Sequence, residues 1–81
     1  MGLMTGNQLR AARSLVGWNQ ADTARHASVN VNTIRKMEGC GARLLRSNME
    51  TVRKVQASLE RHGIRFAGEA GECVGVSLKL P

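Results

Sequence analysis

Stop signals at short, regular intervals constrain this chain more than any other feature. Gly17, the run Ser28-Val29-Asn30, the run Gly39-Cys40-Gly41 and Gly63 each end a stretch whose apolar residues recur at helical spacing. The apolar runs themselves are only a few residues long, too short to cross a bilayer. A cluster of short helices around one small core is therefore expected.

Each helix carries its own start signal. Thr5 can cap a helix from about Gly6 to Val16, with Leu9, Ala12 and Val16 as its apolar stripe and Gly17 as its stop. Trp18 follows as a buried anchor, and Asn19 can cap a second helix, Gln20 to Ala27. Asp22 falls in that helix's first turn, where the dipole favours negative charge. Ala21, Ala24 and Ala27 are small enough to let a neighbouring helix come close. Asn30 caps a third helix, Val31 to about Glu38, with Ile34 and Met37 on one side and Asn32, Arg35 and Lys36 on the other. Ser47-Asn48-Met49-Glu50 has the form of a capping box, predicting a fourth helix from Asn48 to His62 with Met49, Val52, Val55 and Leu59 inward.

Beyond Gly63 the period changes to that of a strand. Ile64-Arg65-Phe66 alternates, and so does the segment from Val74 to Leu80, which places Val74, Val76, Leu78 and Leu80 on one face. With Gly68-Glu69-Ala70-Gly71-Glu72 as the turn, a β-hairpin is expected. The division is residues 1–63 as the helical domain and 64–81 as the hairpin. An isolated hairpin is marginal in water, so this one packs on the helices or joins another chain.

Charge separates the two parts. The chain has 12 Lys plus Arg against 6 Asp plus Glu, a formal charge of +6. All the excess lies before residue 55: Arg10, Arg13, Arg25, Arg35, Lys36, Arg43, Arg46, Arg53 and Lys54 face only Asp22, Glu38 and Glu50. An anionic partner is implied, nucleic acid first and an acidic membrane surface second; the bland alternative is a solvated basic surface. A membrane partner is not expected, because the helices use their apolar faces in the core.

Cys40 and Cys73 stand far apart, so reduced thiols and a cytoplasmic location are expected. Met1-Gly2-Leu3 begins like an acylation signal, but Gly6 occupies the position that requires Ser or Thr. His26 and His62 have no cysteine near them at zinc spacing, so neither a metal nor any other cofactor is expected. No Ser, His and Asp arrangement, paired carboxylates or glycine-rich phosphate loop is evident, and an enzyme is not expected.

Two short helices joined by a three-residue turn, the next helix apolar on one side and Asn/Arg/Lys on the other, describe a helix-turn-helix. The run WNQADTARHASVNVNTIRKMEG, residues 18–39, resembles the helix-turn-helix of the lambda-repressor-like (XRE/Cro) family. Gln20 opening the second helix, Ala24 within it, Val29 in the turn, Ile34 and Met37 inside the third helix and Glu38 at its end carry the resemblance, which covers residues 7–62. It implies a mainly α fold, a four-helix lambda-repressor-like domain, here followed by the hairpin. Thr23 stands where the family usually has Leu, and Ser28 where it usually has Gly; both bear on stability rather than on DNA contact.

The resemblance also implies that Arg13 and Glu38 form a structural ion pair. Val31, Asn32, Arg35 and Lys36 are the expected base-reading residues. Val31 has no core to enter and can meet thymine methyls, Asn32 has the chemistry for adenine, and Arg35 that for guanine; Lys36 can reach a base or a phosphate. Gln20, Asn30, Thr33, Arg43 and Arg46 are the expected phosphate contacts, Gln20 helped by its helix N-terminus. Trp18 belongs to the core rather than to a base-stacking platform.

The expected function is sequence-specific binding of double-stranded DNA by a homodimeric repressor on an inverted-repeat operator. The neutral tail, through Val74, Val76, Leu78 and Leu80, is expected to make the dimer. The competing reading is an antitoxin-like module whose hairpin completes a partner protein's sheet.

Overall fold

The computed structural model describes residues 2–68 and 74–80. The protein is mainly helical: α1 (Gly6–Val16), α2 (Gln20–Ala27), α3 (Val31–Gly39) and α4 (Met49–Glu60), followed by β1 (Ile64–Ala67) and β2 (Gly75–Leu78). The strands pair antiparallel, with Ile64 opposite Leu78 and Phe66 opposite Val76. Of the expected turn, Gly68 to Glu72, residues 69–72 lie outside the described residues, as does Cys73. No helix among the described residues is long and apolar enough to cross a membrane.

The start signals work through specific hydrogen bonds. Thr5 Oγ1 accepts from the Gln8 backbone N–H at 3.1 Å, and Gln8 Oε1 accepts from the Thr5 N–H at 3.1 Å. Asn19 and Asp22 repeat this reciprocal pair at α2. At α4 the cap differs from the expectation. Asn48, not Ser47, occupies it, its amide oxygen accepting from the Thr51 N–H at 2.8 Å. Glu50 is thereby displaced from the position a capping box requires. Met49 becomes the first helical residue and is 68% exposed, where the periodicity places it inward. The first turn of α4 overhangs the core.

That core holds Leu9 and Ala12 of α1, Ala24 and Ala27 of α2, Ile34 and Met37 of α3, Val55 and Leu59 of α4, and Ile64 of β1. Thr23, the polar departure in α2, is fully buried and donates its hydroxyl to the Asn19 carbonyl at 3.0 Å, so it leaves no orphaned group. Ser28 ends α2 in the left-handed region, at φ 58° and ψ 44°. That conformation costs a residue with a Cβ roughly 1 kcal/mol or more. Ser28→Gly should accordingly stabilise the fold by up to about 1 kcal/mol after glycine's extra chain entropy, a rise of a few degrees in Tm. A thermal scan of the two proteins checks it.

The hairpin belongs to the same core as the helices. Phe66, Val76 and Leu78 pack against that core, and the Gln8 side-chain amide reaches the Gly75 carbonyl at 3.1 Å. Of the apolar face expected to pair with a second copy, Val76 and Leu78 are thus engaged within the chain. Val74 and Leu80 remain outside, 44% and 74% exposed.

Candidate nucleic-acid interface

The candidate interface is built on α3 and the loop that follows it. Asn30 caps α3, its side-chain oxygen accepting from the Asn32 N–H at 2.8 Å. Ile34 and Met37 are fully buried, which fixes the roll of the helix and leaves Asn32, Arg35 and Lys36 on the solvent side. Arg35 Nη1 donates to Asn32 Oδ1 at 2.9 Å. Two of the expected base readers therefore meet on the helix surface.

Val31 departs from its expected setting. It is half-buried and packs against the edge of the core. Only part of the Val31 side chain is left to face a ligand. Thr33 is half-buried too.

The loop after α3 is tied down by the N-terminal segment. The Leu45 N–H donates to the Met4 carbonyl at 2.8 Å, and the Asn7 N–H to the Gly41 carbonyl at 2.9 Å. Gly6 sits so close beneath the end of α3 that a Cβ there would run into the Met37 and Glu38 carbonyl oxygens. Arg43 and Arg46, both exposed, line one groove with Lys36, Gly39, Cys40 and Leu44. Three cations from two segments thus border a single shallow depression. The Arg43 guanidinium also donates to the Cys40 carbonyl at 3.4 Å, a long contact that leaves most of its donors free.

Behind this surface lies a polar junction centred on Glu38, which is 2% exposed. Arg13 of α1 grips its carboxylate with two hydrogen bonds, 2.6 and 3.0 Å long, and donates a third to the Trp18 carbonyl at 3.2 Å. The Gln20 amide donates to the same carboxylate at 3.2 Å, and Arg10 lies 3.6 Å away. Burial pushes the Glu38 carboxyl up, but the hydrogen bonds from Arg13 and Gln20 and the positive charges of Arg13 and Arg10 outweigh it. Its pKa falls below the ordinary carboxylate value. The junction clamps the end of α3 to α1 and to the first residue of α2. Gln20, expected at a phosphate, spends one amide hydrogen inside this clamp.

Sequence reading misses a cluster of three rings. The Trp18 and His26 rings stack with centroids 4.0 Å apart, and the His62 ring meets both edge-on at 4.7 and 5.1 Å. His62 Nδ1 donates to the Ser58 carbonyl at 2.9 Å, which fixes that ring on α4. The contact joins positions 36 residues apart, 26 and 62, which no local pattern signals. Among the described residues no group of three or more metal-ligating side chains occurs.

Neither a scan against protein-family models nor a search of curated proteins finds a match to this chain.

Proposed function

We propose that the protein is a sequence-specific double-stranded DNA-binding regulator, a repressor of the lambda-repressor-like helix-turn-helix kind that acts as a dimer. The observation that carries this reading is the position of Lys36. It belongs to the exposed polar face of α3 with Asn32 and Arg35, and it lines the same groove as Arg43 and Arg46. A helix laid in the major groove offers its polar side chains to base edges, while cations beside it meet phosphates. In this reading α2 and α3 form the helix-turn-helix, with Ser28-Val29-Asn30 as the turn. Asn32, Arg35 and Lys36 face bases, with a smaller share for Val31, and Asn30, Thr33, Arg43 and Arg46 face the backbone. Repression asks nothing further of such a protein, since occupying a promoter excludes polymerase.

The dimer would use what the hairpin leaves uncovered. Val74 and Leu80 are exposed, and Leu80 shares a groove with the exposed Leu15. Removing the whole tail would be a poor test, because Ile64 is part of the core. A point substitution is cleaner. Leu80→Asp should leave the fold intact, shift the protein from dimer to monomer in sedimentation, and weaken an inverted-repeat duplex far more than a single half-site. With two recognition helices one turn apart, the half-site centres should lie about 10 base pairs apart. A Leu80→Asp protein that remains dimeric, with unchanged affinity, would remove the hairpin from the interface.

A further inference from the structure

We propose that Asn32 and Arg35 read one guanine together, as a single all-donor unit, rather than an adenine and a guanine separately. The inference rests on the DNA-binding reading and names the base that reading leaves open. Arg35 Nη1 lies 2.9 Å from Asn32 Oδ1, and both side chains are exposed on the same face of α3. A guanidinium only donates, so the asparagine must turn its oxygen toward Arg35 and its NH2 group outward. The turn of helix between positions 32 and 35 brings the two side chains together; an exposed pair at this spacing is modest in water and strengthens where water is excluded.

This pairing changes what Asn32 can recognise. Asparagine reads adenine by accepting from N6–H2 with its oxygen and donating to N7 with its amide. Here one of the oxygen's two lone pairs is taken by a cation. An adenine amino group brought to the other would come beside the Arg35 guanidinium, donor next to donor. Guanine presents only acceptors, O6 and N7, on its major-groove edge. The Asn32 amide and the Arg35 N–H groups not used on Asn32 form a contiguous set of donors that matches them. The Asn30 side chain, capping the same turn through the Asn32 N–H, holds the backbone from which both reach.

The experiment selects duplexes from a randomised pool with the full chain. It then measures affinity by fluorescence anisotropy for the chain and for Asn32→Ala, Asn32→Asp, Arg35→Ala and the double alanine variant. Circular dichroism verifies that each variant is folded, as the exposure of both positions predicts. The selected half-site should contain a guanine whose replacement by adenine or by 7-deazaguanine costs the wild type about 10-fold or more. Both alanine variants should lose preference at that same base pair, and the double variant should lose little beyond either single one. Asn32→Asp keeps an oxygen for Arg35 but offers the base no donor, so it should behave like Asn32→Ala. An adenine lost with Asn32→Ala and a separate guanine lost with Arg35→Ala would overturn the joint reading. Duplex binding with no preference at any base would overturn it as well, while leaving DNA binding standing. Failure to bind any duplex at low salt would remove both.

Discussion

Arg13→Ala should cost about 3 kcal/mol or more of folding stability, because it leaves the Glu38 carboxylate buried without its principal partner. Glu38 is 2% exposed and the Arg13 side chain 19%, so solvent does little to screen the pair. For a domain of this size the loss corresponds to a fall in Tm of roughly 12 °C or more. Urea unfolding of the two proteins gives the comparison directly. Replacing both partners, Arg13→Met with Glu38→Leu, should recover more than half of the loss, since no uncompensated charge then remains. The pH dependence has a definite sign. The folded-state pKa of Glu38 lies below its ordinary value of 4.5. Its contribution is therefore fully present above that value and is lost as pH falls through the folded-state pKa. Glu38→Gln should flatten the acid limb of the stability curve. A loss under 1 kcal/mol for Arg13→Ala would mean the clamp on α3 is not what holds it to α1.

The second large effect concerns salt. If Arg43 and Arg46 each neutralise one phosphate in each half of a dimer, log K should fall against log salt with a slope of about −3.6. Between 50 and 200 mM salt that is roughly a 100-fold loss of affinity. Arg43→Ala and Arg46→Ala should each reduce the slope by about 2 for the dimer and weaken operator and random duplexes alike. Asn32 and Arg35 variants should behave differently, losing discrimination while keeping most of the slope. Anisotropy titrations at four salt concentrations separate the two classes. An affinity indifferent to salt would exclude backbone contact by the loop cations.

Local signals made the helices legible in the sequence. Thr5, Asn19 and Asn30 are caps whose hydrogen bonds span three residues or fewer, and Gly17 and Gly63 stop their segments with positive φ. The Asn48 cap is not legible for a related reason. Ser47 and Asn48 are adjacent and equally suited to cap, and only the packing of α4 decides between them. Val31 and Met49 illustrate the limit of periodicity. It orders residues around a helix axis, but it cannot say how far along that axis the core extends. Hence Val31 finds a core edge and Met49 overhangs one. Whether β2 buries its face at home or against a partner is equally beyond a pattern of alternation, because Val76 and Leu78 read identically in either case. The Trp18–His26–His62 rings and the Asn32–Arg35 pair depend on rotamers, which sequence spacing permits without choosing.

Contact of α3 and its following loop with duplex DNA is tested by titrating the isotope-labelled protein with duplex and following its amide chemical shifts. The perturbed amides should concentrate at residues 30–36 and 43–46, with those of 64–67 near their free positions. Shifts concentrated instead around Leu15, Val74 and Leu80, or none at low salt, would contradict it.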